Sequence, residues 1–257
     1  MFLSLISGSS GNASLIKVKN TTILVDCGLS AKRLVEHLDK IDISPDSIDA
    51  LLITHEHSDH VAGAGVISRR FDIPIYATEK THNVLNIGPV KEHNIKIITP
   101  DTKFEIGDFV INPFDISHDA ANPVGYSFDD GSLKYSILTD TGIITDSILK
   151  AVSGSDYIML EANHDVDMLM YGAYPFNLKK RIASDIGHMS NDYAAQVAIK
   201  LLESNSKNIM LSHLSNNNNT PEIAYKTVES VLLKHGAKIG SDVNLSVANR
   251  YEVTRFI

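Results

Sequence analysis

The sequence predicts an α/β protein in which two β-sheets are covered by helices. Many short runs typical of strands come early in the chain, helices are interspersed among them, and the clearest helical patterns come late. No repeat and no Pro-, Gly- or Ser-rich linker divides the 257 residues, and 43% of them are hydrophobic, enough for a sizeable core. We therefore expect a single domain over residues 1–257.

The predicted strands begin at the first residues of the chain. The first is Phe2–Ile6, and a Ser- and Gly-rich turn over Ser7–Asn12 separates it from the second. The remaining predicted strands are Ser14–Val18, Thr22–Asp26, Asp49–Thr54, Pro74–Ala77, Ile95–Ile98, Phe109–Phe114, Val124–Phe128, Leu133–Thr139, Tyr157–Leu160 and Asn208–Ser212.

The predicted helices follow capping residues. Ser30 precedes a helix over Ala31–Leu38, and Ser190 precedes one over Asn191–Leu202 whose apolar residues recur every three or four positions. Thr220 precedes the third, Pro221–Lys234, with proline at the first helical position.

The composition limits the classes of function. A net charge of −8 argues mildly against a protein that coats DNA without sequence preference, which needs clustered Lys and Arg. A single cysteine excludes a disulfide framework and a Cys-rich zinc module and fits a reducing compartment. The first residues do not resemble a signal peptide, and no apolar run approaches the ~20 residues that span a bilayer. We expect a cytoplasmic protein without a membrane partner.

Three histidines and an aspartate lie within six residues after the predicted strand Asp49–Thr54. In extended backbone His55 and His57 point to the same side, and a turn at Ser58 would bring Asp59 and His60 onto the start of a helix over 61–70. Two pairs of ligands offset by a turn can serve two metal ions.

Other histidines and an aspartate also follow apolar strands. His118, Asp140 and His213 come just after such runs, and side chains at the same ends of neighbouring strands converge. The predicted ligands of a dinuclear site bridged by Asp140 are His55, His57, Asp59, His60, His118, Asp140 and His213. Imidazole and carboxylate without thiolate suit two Zn²⁺ ions, with Mn or Fe as alternatives. The contexts of His37, His82, His93 and His235 indicate ordinary roles.

With its His-x-His-x-Asp-His segment and the later His, Asp and His, the sequence resembles the metallo-β-lactamase superfamily. The resemblance implies a four-layer αββα sandwich, two mixed sheets flanked by helices, with the site at one edge. Val25-Asp26-Cys27-Gly28 is similar to the superfamily's first motif, which implies that Asp26 braces the metal loops. Cys27 does not lie where true zinc β-lactamases carry a Cys ligand, and no long insertion of the β-CASP kind lies between Asp140 and His213.

Within the superfamily the sequence resembles the YycJ/WalJ-like branch. The segments that carry this resemblance are Ser7–Asn12, His118–Tyr126, Glu161–Asp165, Tyr174–Arg181 and Ser184–Asn191. Gly187-His188-Met189-Ser190 is also similar to RNase Z and related phosphodiesterases, which implies that His188 is a catalytic acid. The dipole of the helix that follows would oppose protonation of His188, and Asp185 is the carboxylate expected to offset it.

The resemblance implies a metal-dependent phosphodiesterase or nuclease, specifically a DNA exonuclease that works from a 5′ end. In the expected mechanism Asp59 belongs to the catalytic metal centre, a metal-bridging hydroxide attacks the phosphate and His188 protonates the leaving alkoxide. Two alternatives are a hydrolase of a small ester, lactone, thioester or cyclic phosphodiester, and a metal-bound regulator of cell-wall signalling. DNA ends are the expected partner, and no obligatory protein partner is inferred.

Two features near His188 remain open at this point. His164 could contact substrate phosphate, orient a metal ligand or cap the helix that begins near Asp165. The basic run Lys179-Lys180-Arg181 is either a solvated face or a surface that binds the phosphate backbone of the substrate.

Overall fold

Two seven-stranded β-sheets lie face to face, and helices cover the outer face of each sheet. The computed structural model describes residues 1–256. The predicted αββα sandwich of two mixed sheets is confirmed. In chain order the strands are β1 (Phe2–Ile6), β2 (Ala13–Val18), β3 (Thr21–Val25), β4 (Ala50–Leu52), β5 (Ile75–Thr78), β6 (Ile95–Ile98), β7 (Phe104–Ile106), β8 (Phe109–Asp115), β9 (Val124–Asp129), β10 (Lys134–Leu138), β11 (Tyr157–Glu161), β12 (Asn208–Ser212), β13 (Asn244–Val247) and β14 (Thr254–Arg255).

Nine α-helices connect these strands within residues 1–256. They are α1 (Ala31–Asp39), α2 (Ser58–Val61), α3 (Ala64–Phe71), α4 (Glu79–Val84), α5 (Asp146–Val152), α6 (Val166–Tyr171), α7 (Phe176–Ile182), α8 (Asn191–Glu203) and α9 (Pro221–Lys234), with 3₁₀ turns at Pro45–Ser47 and Glu92–Asn94. As predicted, Ser30, Ser190 and Thr220 cap α1, α8 and α9 by accepting hydrogen bonds from backbone amides of the first turn. None of the helices in the described chain is long and apolar enough to cross a membrane.

Each sheet has an antiparallel half and a parallel half. The first sheet runs β14-β1-β2-β3-β4-β5-β6, in which β3 to β6 are parallel, and the second runs β13-β12-β11-β10-β9-β8-β7, in which β10 to β13 are parallel. Residues that follow the carboxyl ends of parallel strands in one sheet share an edge of that sheet. This topology places the chain segments after β4, β10 and β12 where they can meet.

Alternation along the strands builds three buried layers. In β3, Ile23 and Val25 point between the sheets, where they join Tyr126 and Phe128 of β9, while Leu24 points outward to the layer under α1 and α3. A third layer lies between the second sheet and helices α5, α8 and α9. The central strands are therefore buried on both faces, which explains their nearly continuous apolar sequences.

The predicted start of the helix over residues 61–70 is wrong. Asp59 and His60 already lie in the short helix α2, and the chain breaks at Gly63 before α3 begins. Gly63 donates its backbone N–H to Cys27 O at 2.9 Å, and a Cβ at this position would lie 2.2 Å from Leu29 O. The close approach of the two segments therefore requires glycine and interrupts the helix.

Other differences concern short elements. The sequence pattern did not predict α4, α5, β7, β13 or β14, and the three strands among them contain only three, four and two residues. Such short runs carry too few residues to show a period. For four elements the predicted bounds agree with the structure. These are the strands at residues 2–6, 95–98 and 208–212 and the helix at 221–234.

Candidate metal centre

The seven predicted ligands meet at one edge of the two sheets. His55 follows β4, His57 is the N-cap of α2, and Asp59 and His60 lie within α2. The second sheet brings the other three, since His118, Asp140 and His213 follow β8, β10 and β12. Three overlapping groups have donor atoms within 4.8 Å of one another: His55, His57 and His118; His55, His60 and Asp140; and Asp59, His60 and His213.

The first of these groups is a cluster of three imidazoles. His55 Nε2 lies 3.0 Å from His57 Nδ1, and His118 Nε2 lies 3.3 Å from the same His57 atom. All three rings cross at steep angles, with centroids between 4.6 and 5.0 Å apart. Three ring nitrogens this close to one another could hold one cation.

The third group, Asp59, His60 and His213, adds carboxylate to imidazole. Asp59 Oδ2 lies 3.4 Å from His213 Nε2 and 3.5 Å from His60 Nε2. Asp140 lies between the groups: its Oδ2 is 3.3 Å from His60 Nε2, and its Oδ1 is 3.4 Å from His213 Nε2 and 3.8 Å from His118 Nε2. The carboxylate of Asp140 therefore faces both groups, as a bridging ligand must.

The ring nitrogens that face away from the cluster have oxygen partners. Nδ1 of His60 lies 2.8 Å from Asp26 Oδ2, and Nδ1 of His118 lies 3.2 Å from Gly187 O. Nδ1 of His213 lies 3.0 Å from Glu161 Oε1. When these nitrogens donate to oxygen, each Nε2 is left as the acceptor, the form in which imidazole binds a metal.

Asp26 occupies the bracing position that the resemblance implied. Its Oδ1 accepts the Thr54 backbone N–H at 2.9 Å, and its Oδ2 accepts the Thr54 hydroxyl at 2.8 Å in addition to contacting His60. Gly28, two residues on, lies against the backbone of Asp59, and a Cβ there would lie 1.6 Å from Asp59 O. The motif thus fixes the segment that carries the first four ligands.

Two of the predicted ligands and Asp26 have left-handed backbone. The φ angles are 60° for Asp26, 58° for Asp140 and 56° for His213, a region that non-glycine residues rarely adopt. Such conformations persist where the surroundings hold them, and they cluster at functional sites. Each residue follows the end of a strand, so the turn aims its side chain across the sheet edge.

The donor set fits divalent metal ions. Asp140 Oδ2 is buried and accepts no hydrogen bond within residues 1–256, although His60 Nε2 is near it. Burial disfavours the charged form of Asp59, but His60 and His213 outweigh it and hold the pKa of this carboxyl well below its usual range. Burial lowers the pKa of His213, but Asp140, Asp59 and Glu161 raise it to about 10. These carboxylates attract positive charge to the cluster, and the centre is suited to cations.

Glu161 is a buried residue of the site to which sequence reasoning gave no role. Its Oε1 lies 2.8 Å from His188 Nδ1 and 3.0 Å from His213 Nδ1, and its Oε2 accepts the backbone N–H groups of Thr141 and Met189. Burial opposes ionisation, but His188 and these hydrogen bonds lower the pKa of Glu161 to about 2. Glu161 ends the apolar strand β11, so the strand-end pattern that pointed to Asp140 and His213 could have found it.

His188 lies beside this carboxylate at the border of the centre. Because Glu161 is ionised, Nδ1 of His188 donates to it, and the side chain is 14% exposed. Asp185, the expected partner of His188, is instead exposed to solvent, so the assignment to Asp185 is wrong. The reason is topological: β11 carries Glu161 to the sheet edge under His188, and residue spacing does not show this. Asp140, Glu161, His188 and His213 also form a fourth group with donor atoms within 4.8 Å.

A cavity of about 210 Å³ opens beside the ligands. Residues of the metal centre line one side, including His57, Asp59 and His213, and His188 lines it as well. Tyr174 and the helix α7 line another side through Leu178, Arg181 and Ile182. The cavity connects the ligand cluster with the α6–α7 segment.

The three residues of the basic run lie in different surroundings. Arg181 reaches the cavity, but its guanidinium is paired with Asp119 through two hydrogen bonds. Lys179 donates to the backbone carbonyl of Met170 at 2.8 Å, while Lys180 is exposed. The run is therefore not one uniform positive strip.

His164 is 3% exposed and lies apart from the seven ligands. Its Nδ1 is buried and makes no hydrogen bond within the described residues, and burial lowers the pKa of its ring to about 4. Asp165, the next residue, is the cap of α6, since its Oδ1 accepts the Met168 N–H at 2.9 Å. Capping is thus performed by Asp165 and not by the imidazole of His164.

The fold and this arrangement of ligands define a class of protein. A family model described as a β-lactamase superfamily domain matches residues 21–213, most of the chain. The chain belongs to the metallo-β-lactamase superfamily. The solved metallo-β-lactamase fold protein YhfI from Bacillus subtilis has a similar fold, with a TM-score of 0.75 over 98% of each chain at 18% identity.

Two curated relatives are similar over most of the chain. Exodeoxyribonuclease YycJ of Bacillus anthracis is 38% identical over 247 residues, which cover 93% of this chain and 91% of the relative. Exodeoxyribonuclease WalJ of Streptococcus pneumoniae serotype 2 is 39% identical over 242 residues, with coverage of 93% and 90%. The resemblance to the YycJ/WalJ-like branch is confirmed.

Proposed function

We propose that this chain is a dinuclear-metal-dependent phosphodiesterase that degrades DNA as an exonuclease, and that it works from a 5′ end. The observation that carries the proposal is that His188, oriented by a buried carboxylate, lines a cavity together with four of the seven predicted metal ligands. The relatives named exodeoxyribonuclease support the choice of DNA as substrate.

The seven predicted ligands would hold two divalent ions, one on His55, His57 and His118 and the other on Asp59, His60 and His213, with Asp140 facing both. Such a pair of ions supplies Lewis acidity, which offsets phosphate charge and lets water attack near neutral pH. We propose Zn²⁺ for these positions, with Mn²⁺ or Fe²⁺ as alternatives, because the donors are imidazole and carboxylate without thiolate.

His188 would donate the proton that the leaving alkoxide of DNA requires. Its Nδ1 is engaged by Glu161, which fixes the orientation of the ring, so that Nε2 is the nitrogen available for transfer. Arg181 also lines the cavity, with its guanidinium paired to Asp119, and we propose that it binds the phosphate backbone of the substrate. For Lys180, which is exposed, we propose a weaker contact with more distant phosphates.

His164 is proposed to support the geometry of the substrate side of the site. Its backbone carbonyl accepts the Asn191 N–H at 2.8 Å and it forms a bridge with Ser190, so it joins the start of α8 to the segment after β11. That segment follows Glu161 directly. Reducing conditions suit Cys27, which is buried and free, and we propose that the protein acts in the cytoplasm.

A panel of substrates tests the function. The protein is loaded with Zn²⁺, Mn²⁺ or Fe²⁺ and assayed on DNA and RNA labelled at either end and on bis-p-nitrophenyl phosphate. We expect metal-dependent release of nucleotides from the 5′ end of DNA, and chelation should abolish it. Hydrolysis of the small ester alone would favour a small-molecule hydrolase, and the absence of any turnover with full metal occupancy would favour a regulator.

A further inference from the structure

The loop between β1 and β2 contains a tight turn that reaches the cavity. The backbone N–H of Gly11 donates to Gly8 O at 3.0 Å, so Ser9 and Ser10 are the central residues of a β-turn, the Gly8–Gly11 turn. Both serines are exposed, and Ser9 lines the cavity. Within residues 1–256 the backbone N–H groups of Ser9 and Ser10 and the Ser9 hydroxyl make no hydrogen bond. These donors are therefore available to a ligand.

The Gly8–Gly11 turn is anchored to the metal centre. Asn12 Oδ1 accepts the Gly8 N–H at 3.0 Å, and Asn12 Nδ2 lies 3.4 Å from Asp59 Oδ2. On the other side of the turn, Ser7 Oγ accepts the backbone N–H of His213 at 2.8 Å. The turn is therefore fixed in position relative to two of the predicted ligands.

A guanidinium without a carboxylate partner lies beneath the turn. A Cβ on Gly8 would lie 2.5 Å from Arg250 Nη1, so glycine allows this close approach. Arg250 Nη2 donates to Leu214 O at 2.7 Å, whereas Nη1 is buried and has no hydrogen-bond partner in the described part of the chain. Burial lowers the pKa of Arg250, and the groups that oppose this shift are the phenols of Tyr251 and Tyr174. An arginine remains charged at neutral pH, so this charge is not neutralised by a neighbouring acid.

Two further hydroxyl groups line the same cavity. Ser215 Oγ accepts the backbone N–H of Asn218 at 3.2 Å, and Tyr174 Oη accepts a hydrogen bond from Asn217 Nδ2 at 3.0 Å. Because both oxygens act as acceptors in these contacts, their own hydrogens can be donated to a ligand. The cavity therefore offers hydroxyl donors next to the backbone donors of the Gly8–Gly11 turn.

Backbone amides and hydroxyls close to an unopposed cation are suited to an anion, and above all to a phosphate. The acidic residues that line the cavity, Asp59 and Asp140, are predicted metal ligands, so bound cations would offset their charge. Arg181 differs from Arg250, because its guanidinium is already paired with Asp119.

We propose that the Gly8–Gly11 turn, together with Ser215 and Arg250, binds a second phosphate group of the DNA while the scissile phosphate lies at the metal centre. This inference rests on the proposed function. The donors of the turn and of Ser215 contact the phosphate, whereas the buried Arg250 acts through its charge. Two phosphates flank the first linkage of a strand, the 5′-terminal phosphate and the phosphate of the second linkage, and both present the same charged oxygens.

Three duplexes distinguish these two sources. The first carries a 5′-phosphate, the second a 5′-hydroxyl, and the third a 5′-phosphate with an uncharged methylphosphonate at the second linkage. Their Kd values are measured by fluorescence anisotropy on the metal-loaded His188→Ala protein, in which turnover should be slow. We expect one of the two replacements to weaken binding about ten-fold, the effect of losing a hydrogen bond to a charged group.

The same measurements on three further variants test the residues. Ser9→Asp places a negative charge at the turn, and it should raise Kd for the fully charged duplex about ten-fold and remove the effect of the replaced phosphate. Ser9→Pro should act in the same direction, because proline is favoured at the second position of a β-turn but has neither N–H nor hydroxyl. Arg250→Gln should also reduce the effect of the replaced phosphate. Metal content should remain that of the parent.

Ser241→Asp is the matched control, since Ser241 is exposed and lies between α9 and β13, before the start of a strand whose other end faces the metal edge. It makes the same change of charge and should leave all three Kd values unchanged. If neither phosphate matters in the parent, or if the Ser9 and Arg250 variants leave its effect unchanged, the phosphate site is overturned and the nuclease proposal stands. Equal weakening on all three duplexes would also overturn the site, because it would indicate a general defect. If the fully metal-loaded wild-type chain neither binds nor cleaves DNA, the proposed function fails and this inference fails with it.

Discussion

Replacement of His188 by alanine separates proton donation from metal binding. The Nδ1 atom of His188 donates to Glu161 at 2.8 Å and lies 3.5 Å from Asp140 Oδ1, so only one ring nitrogen has a partner in the protein. A general acid contributes typically 10²- to 10⁴-fold to a rate, which corresponds to about 2.7–5.4 kcal/mol of the barrier. We expect kcat on DNA to fall by that factor in His188→Ala.

The same substitution should cost far less on bis-p-nitrophenyl phosphate. Its leaving group is a stabilised phenolate that departs without a proton, whereas the alkoxide of DNA needs one, so a loss below about ten-fold is expected there. Metal content, measured by elemental analysis, should match that of the wild type because all seven predicted ligands remain. The side chain is 14% exposed, and its truncation should destabilise the fold by only about 1 kcal/mol.

Three results would refute this reasoning. Equal losses on DNA and on the activated ester would show that His188 does not donate the proton. A fall in metal content would instead place His188 among the ligands, in the group with Asp140, Glu161 and His213. An unchanged rate on a 5′-labelled oligonucleotide would remove His188 from the reaction altogether.

Four further predictions concern Glu161, Asp59 and Cys27. Glu161→Gln should lower both the rate on DNA and the metal affinity. The affinity should fall by roughly 10- to 100-fold, because His213 loses its carboxylate partner. Titration with a metallochromic chelator measures the affinity, and an unchanged value would contradict the role of this contact. Asp59→Ala should reduce the bound metal below that of His188→Ala, and equal metal content in the two variants would remove Asp59 from the ligands. Burial raises the pKa of Cys27 to about 12, so the folded protein should not react with Ellman's reagent at pH 8 until denaturant is added, and fast reaction would contradict its burial. Because the folded-state pKa of Cys27 lies above the ordinary thiol value of about 8.5, its contribution to the free energy of unfolding should decline as pH rises from there towards 12, which urea titrations at several pH values would detect.

The sequence predicted where the strands end. It was less reliable in predicting which residues from distant segments contact one another. Strand ends carrying His118, Asp140 and His213 were visible because buried parallel strands form apolar runs that stop abruptly at a polar residue. Glu161 follows the same pattern but was passed over, since a lone glutamate after a strand has many ordinary roles. The role of Glu161 depends on its contacts with His188 and His213. These two histidines come from distant segments, and only the fold brings them together.

The corrections have physical causes of the same kind. The helix expected over residues 61–70 breaks because Gly63 touches the backbone near Cys27, a contact between segments 36 residues apart. The pairing of Arg181 with Asp119, a residue of the His118 loop, could likewise not be predicted from the spacing of the basic run. The spacing of residues in the sequence shows which of them share a helix face. It does not show which residues from distant segments contact them.

The division of the ligands between the sheets has a consequence for folding. Residues 55–60 extend from the first sheet, while His118, Asp140 and His213 extend from the second. Ions held by both sets would cross-link segments as distant in the chain as residues 60 and 213. The free energy of metal binding would therefore stabilise the packing of one sheet on the other. Metal supply would then affect the stability of the assembled sandwich as well as its chemistry.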